Sequence, residues 1–258
     1  MDRSKEISEI QKTENVKYTP VATLDQRDKI SKKFLNSDLI GTSEISRIEM
    51  EDVLEGEIES VPFISADLSV YKKYSTYRYK ERERLSLSGT YYYFDIPTIE
   101  KGVDIVLVPR IHFAIFIFLM LFFLFFLWRS IEVNSFELIL MSIFLIASLL
   151  IKYLEGSKTE SIKFNSYFVL KTNDEIKARK ILTPAVIQSI IDLREKEGEI
   201  MIAIKEGQLH VFIKNKDRFY NIYSIIIAND LTEMKENIAQ QVRQEIDLIK
   251  RLLKSIKS

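Results

Sequence analysis

The sequence has no cysteine, so disulfides, thiolate metal sites and thiol nucleophiles are excluded, and the soluble parts fit a reducing compartment. It has only two histidines, His112 and His210, too few for a histidine-based metal site or a Ser-His-Asp triad. Glycine is scarce at seven residues, all isolated, and none opens a helix in phosphate-loop spacing, which disfavours nucleotide hydrolysis. Charge of one sign is also missing, because 37 Lys and Arg balance 37 Asp and Glu among 258 residues. Net charge therefore gives no argument for nucleic acid, anionic lipid or an acidic substrate. Residues 1 to 37 contain no apolar core of the kind a signal peptide needs.

What is present is a long apolar stretch. Ile111 to Trp128 holds 18 residues with no charged side chain and seven phenylalanines, enough for a helix of about 27 Å against a bilayer core of about 30 Å. A second segment, Leu138 to Ile151, follows a polar bridge from Arg129 to Ser135 and is bracketed by Glu137 and Lys152. Together they predict a transmembrane helical hairpin over residues 110–154. Lys101, Arg110, Lys152, Lys158, Lys163 and Lys171 outnumber Arg129 in the bridge, so both termini are expected in the cytoplasm of a two-pass protein of the plasma or inner membrane. Neither segment carries an Asp, Glu, Lys or Arg at mid-depth, so the hairpin reads as an anchor and His112 as an interfacial residue.

The flanking residues predict an α+β fold, a cytoplasmic mixed or antiparallel sheet with helices, interrupted by the hairpin. Residues 1–22 read as a flexible segment in which Tyr18-Thr19-Pro20 breaks any helix. Residues 23–109 form the first half of the domain. Thr23 is placed to cap a helix whose stripe is Leu24, Ile30, Phe34 and Leu35, and residues 45 to 109 alternate as short strands joined by tight turns near Gly56 and Pro62. Residues 155–228 form the second half. Ile162 to Leu170 suggests strand, Asn173 or Asp174 a cap, Thr183-Pro184 a helix start, Gly198 its end, and Glu206-Gly207-Gln208 a hairpin turn. Residues 229–258 carry Leu231, Met234, Ile238, Val242, Ile246, Ile249, Leu253 and Ile256 at helical spacing and predict an amphipathic helix.

Two features invite chemistry. The acidic run Glu49 to Glu59 matches no calcium-loop spacing and reads as a solvated face. Tyr71 to Arg84 interleaves aromatic and basic residues, a pattern that can stack bases, but Glu81 and Glu83 dilute its charge and no nucleic acid is expected as a partner.

The run Phe164 to Pro184, containing Ala178-Arg179-Lys180-Ile181-Leu182-Thr183-Pro184, resembles the bacterial membrane-associated family catalogued as domain of unknown function 3137. The hairpin ending at Lys216-Asp217-Arg218-Phe219 and the glycine-marked blocks Leu54 to Phe63 and Leu87 to Asp95 are similar to the same family, giving coverage of about residues 45 to 222. Lys180 departs from the family's aromatic, and the apolar hairpin interrupts the domain instead of preceding it. The resemblance therefore implies that residues 45 to 109 and 160 to 222 form one domain with the hairpin looped out. It implies no catalytic residue, cofactor or metal.

Without a catalytic constellation, the sequence points to a membrane-anchored protein-interaction or scaffold module, with the lipid bilayer and a protein partner or second copy as its partners. Arg179, Tyr77, Tyr79 and Arg82 are the candidate contacts. The alternative is a membrane-proximal enzyme or ligand-binding domain acting on lipid or a small substrate through Arg179 and carboxylates; a remote alternative is an oligomeric channel.

Overall fold

The computed structural model describes residues 17–41, 45–58, 60–76, 79–110, 125, 128, 157–214 and 247–257. The chain divides into two compact units, Met1–Leu107 with Thr172–Ser258, and Val108–Lys171.

The larger unit is built on an antiparallel sheet. Its strands are β1 (Lys17–Val21), β2 (Ile45–Ile58), β3 (Val61–Thr76), β4 (Tyr79–Asp95), β5 (Ile105–Pro109), β7 (Ile200–Lys205) and β8 (Gln208–Ile213). Across the sheet they follow one another as β1-β2-β3-β4-β8-β7-β5. The two sequence halves thus share a sheet, because Thr90 to Asp95 of β4 pair with Ile213 to Gln208 of β8.

Helix α1 (Leu24–Asn36) starts in a capping box. Thr23 Oγ1 accepts from the Gln26 backbone N–H at 3.3 Å, and Gln26 Oε1 accepts from the Thr23 N–H at 3.0 Å, satisfying two donors that a helix start leaves open. The buried stripe is Gln26, Ile30 and Phe34. Leu24, expected in that stripe, is 80% exposed. Its place is taken by Gln26, whose amide Nε2 donates to Glu55 on β2 at 3.1 Å. Ile30 and Phe34 pack into a core with Met50, Val53, Ala66, Leu68, Tyr91 and Phe212.

Several local expectations change. Lys17–Val21, placed within the loose segment 1–22, is an edge strand paired to Val53 and its neighbours; Pro20 rules out a helix but is tolerated at a sheet edge. Residues 45 to 95 form three long strands of 14, 16 and 17 residues instead of short strands joined by turns. Pro62 sits opposite Glu57 at the start of β3, and register shifts absorb the irregularities without ending the strands.

The other helices of this unit start as their sequence dictates. Asp174 caps α3 (Glu175–Ile181), accepting from the Ile176 and Lys177 backbone N–H groups at 3.1 Å each. Thr183 caps α4 (Pro184–Glu197) with Pro184 in its first turn, Val186, Ile190, Ile191 and Leu193 are its buried face, and Gly198 ends it at φ 86°. Glu206 and Gly207 both have positive φ, as a two-residue turn joining β7 to β8 requires. Residues 247–257 are helical (α5), with Leu248, Ile249, Leu252 and Leu253 buried; residues 229–246 and 258 of the expected helix lie outside the described residues.

In the smaller unit, Ile162 to Tyr167 is not strand but a short helix, α2 (Ile162–Tyr167), because Ser161 caps it by accepting from the Phe164 N–H. Strand β6 (Phe168–Thr172) follows, with Phe164 and Phe168 buried and their rings 5.2 Å apart.

The transmembrane hairpin is a correction. Among the described residues no helix is long and apolar enough to cross a membrane. The 14 residues of α4 reach about 21 Å, short of the roughly 30 Å of a bilayer core. Length and apolarity between residues 110 and 154 were the whole basis of the expectation. Apart from Arg110, Phe125 and Trp128, that stretch lies outside the described residues.

Candidate functional site

Two clusters of functional side chains lie on the sheet, one buried and one exposed. The buried one forms beneath α1. The register sets Tyr93 of β4 opposite His210 of β8, and Tyr91 opposite Phe212. His210 is 1% exposed, and its Nδ1 lies 2.7 Å from the Tyr91 hydroxyl. Burial, reinforced by the positive charges of Lys33 and Lys205 and opposed by Asp38, lowers the His210 pKa to about 4, so the ring is neutral at pH 7. Burial also holds the Tyr91 hydroxyl protonated well above its ordinary pKa. A protonated phenol facing a neutral imidazole makes one satisfied pair with no net charge. Lys33 of α1 completes the cluster by donating to the Tyr93 hydroxyl at 2.9 Å, while Lys205 pairs with Asp38. The arrangement fastens α1 to the sheet. With its imidazole buried, His210 reaches no substrate.

The exposed cluster lies on the outer halves of β2, β3 and β4. Arg47 sits 3.1 Å from Glu49, 3.6 Å from Glu83 and 4.4 Å from the centre of the Tyr71 ring. Tyr71 donates its hydroxyl to Glu49 at 3.0 Å, and its pKa is raised, chiefly by desolvation and then by that carboxylate. Along β4 the register sets Arg82 opposite Tyr74, Glu83 opposite Lys73, Arg84 opposite Lys72 and Leu85 opposite Tyr71. Residues 82 to 86 are all exposed, and Leu85 and Tyr74 show 48% and 46% of their surface.

The inner boundary of this region is Gly89. A Cβ placed there would lie 2.1 Å from the backbone oxygen of Ile213, where β8 comes up against β4. The glycine is required for that approach. Beyond it, no strand among the described residues pairs with β4 on the side away from β3.

The candidate contacts fall in different places. Arg82 belongs to the exposed cluster. Tyr79 opens β4 opposite Thr76, whereas Tyr77 lies outside the described residues. Arg179 stands exposed in the last turn of α3, and no described carboxylate is within ion-pair distance of it. On the same helix Lys177 pairs with Glu100 at 2.9 Å. Sequence reasoning missed that Arg47 and Glu49 of β2 meet Tyr71 and Glu83 in one cluster. The only signal for them was the alternation of residues 45 to 50 and 82 to 87, which gives strands but not their register.

None of the curated proteins and none of the solved structures compared with the chain gives a match. The upstream blocks around Gly56 and Gly89 lie ahead of the family match, and the sheet of the matched segment is completed by β4, which also lies ahead of it. Residues 141–257 match the family model described as a protein of unknown function, DUF3137, so the resemblance carried by Phe164 to Pro184 is to that family.

Proposed function

We propose that this chain is a protein-interaction module that takes an extended segment of a partner along the outer edge of β4, residues 79–89. The observation that carries this reading is a mismatch in length: β4 runs Tyr79–Asp95, but β8 covers only Thr90 to Asp95. A strand edge presents a row of backbone donors and acceptors, and adding a strand satisfies them while neighbouring side chains supply selectivity. Here those side chains are Arg82, Glu83, Arg84 and the exposed Leu85. The test is a photo-crosslinking amino acid at Leu85 of the full chain in cells. The expected result is an adduct with a second polypeptide chain that Arg84→Pro abolishes, because proline removes a backbone donor and is poorly accommodated in a strand paired on both sides. Absence of an adduct, or an adduct indifferent to Arg84→Pro, contradicts the reading.

A further inference from the structure

We propose that the segment taken along β4 is acidic and sets a carboxylate directly across from Arg84, where Arg84 and Lys72 form a cationic pair at the end of the core face of the sheet. The inference rests on the edge reading above and names the chemistry of the occupant. Residues directly opposite in an antiparallel ladder put their side chains on the same face, and so do residues two apart along a regular strand. Lys72 stands opposite Arg84, so the two share a face; Tyr71 opposite Leu85 and Lys73 opposite Glu83 share the other. On the Tyr71 face the charges answer one another, since Arg47 reaches both Glu49 and Glu83 and the Tyr71 hydroxyl donates to Glu49. On the Lys72 face, no carboxylate among the described residues is in ion-pair contact with Lys72 or Arg84.

Two bulges aim this pair. Val70 pairs with Leu87 and Tyr71 with Leu85, so Ser86 is an extra residue in β4; Ile45 pairs with Lys72 and Arg47 with Tyr71, so Ser46 is an extra residue in β2. The two bulges flank β3 at the level of Tyr71, and the Ser46 hydroxyl donates to the Tyr71 carbonyl at 3.2 Å. Counting by twos from buried Leu87 would keep Leu85 and Glu83 on the core side and turn Arg84 to the face of Arg47 and Glu49. The extra residue reverses that alternation. It sends exposed Leu85 and Glu83 to the face of Arg47 and sets Arg84 across from Lys72, whose other neighbour, Ile45, packs against the core.

Like charges directly across a ladder are destabilising, so this pair weakens the strands that carry it. A carboxylate brought to the two cations removes the repulsion and gains charge-assisted hydrogen bonds, and the Arg84 guanidinium can donate two of them in parallel. A strand added beside β4 supplies such a group. Whichever direction it runs, its residue across from Arg84 lies on the face of Arg84 and Lys72, and a neighbouring residue lies on the other face across from Leu85, which is 48% exposed. The partner that fits is an extended segment with Asp or Glu next to an apolar residue. A basic segment is repelled by both cations, which makes the edge selective among strands.

The experiment uses the full chain and three fluorescein-labelled nonapeptides, Thr-Ser-Thr-Val-X-Val-Thr-Ser-Thr, in which X is Glu, Gln or Lys. Valine flanks X on both sides so that one valine meets Leu85 in either strand direction, and the uniform ends leave X to choose the register. Fluorescence anisotropy is expected to show the Glu peptide binding about tenfold or more tightly than the Lys peptide, with the Gln peptide between them and the difference shrinking as salt is raised. Arg84→Lys is expected to keep the preference for Glu. Arg84→Glu is expected to abolish it without lowering unfolding stability, because an opposite-charge pair then replaces a like-charge pair within the sheet. A preference for Glu that survives Arg84→Glu overturns the proposal. Three peptides that bind equally and are all released by Arg84→Pro end the acidic assignment and leave the edge reading. No binding of the Glu peptide also overturns the proposal, and the Leu85 photo-adduct then decides the edge reading separately. Arg84-dependent binding to vesicles of phosphatidylserine and phosphatidylcholine, with no preference among the peptides, assigns the pair to lipid phosphate and overturns the proposal as well.

Discussion

One strand lives in two environments. From Thr90 to Asp95, β4 is held between β3 and β8; Thr90 to Phe94 are buried, and Tyr91 and Tyr93 are fastened to His210 and Lys33 by specific polar contacts. From Tyr79 to Gly89 the same strand is paired with β3 alone among the described residues, and Arg82, Glu83 and Arg84 are exposed to water. Tyrosine and basic residues occur on both halves. On the inner half their polar atoms are consumed in holding the fold together; on the outer half Arg82 and Arg84 are exposed. The lesson is that residue type did not separate buried from exposed positions on this strand, whereas the reach of β8 does.

The comparison can be broken hardest at its boundary. Gly89→Val drives a side chain into the Ile213 backbone and Phe212 ring, and overpacking of that kind is expected to cost about 3 kcal/mol or more in denaturant unfolding. A loss below about 1 kcal/mol means that β8 shifts freely and the boundary is not fixed there.

Acidification acts on the inner half through His210. His210 is neutral in the fold with a pKa of about 4 against 6.5 unfolded, so the unfolded chain binds more protons between those values. The linked stability is fully present above pH 6.5 and falls as the pH drops towards 4. The fall amounts to roughly 3 kcal/mol for this group. Unfolding curves at pH 7 and pH 4.5 of the parent and of His210→Gln check it: the parent is expected to lose more than the variant. Equal losses mean that other groups carry the acid sensitivity.

The smallest effect belongs to the outer half. Arg47→Ala removes two exposed ion pairs and the contact with the Tyr71 ring, and is expected to change unfolding stability by less than about 1 kcal/mol. A change of 2 kcal/mol or more in the same titration places the cluster among the elements that hold the fold.

What the sequence made legible was local. Thr23, Asp174 and Thr183-Pro184 start helices because a short polar side chain reaches its own backbone, and Gly198 and Glu206-Gly207 turn the chain because φ must be positive there. What stayed hidden depended on partners distant in sequence. Gly89 read as a marker in a family block, and only the approach of Ile213, more than a hundred residues later, explains it. His210 stood out only by its rarity, since its burial follows from α1 crossing the sheet above Tyr91 and Tyr93. The apolar stretch from residue 111 yielded a length and a hydropathy, neither of which fixes a membrane span. Arg82 was singled out for its aromatic neighbours in sequence, yet its place opposite Tyr74 comes from strand register, as does the pairing of Glu83 with Arg47.

Backbone hydrogen exchange along β4, measured on the full chain, tests the two-environment account most directly. Amides of residues 90–95 are expected to be strongly protected. Edge-facing amides of residues 80–85 are expected to exchange rapidly. Equal protection along the whole strand contradicts the account, because it means the outer edge is already covered within the chain.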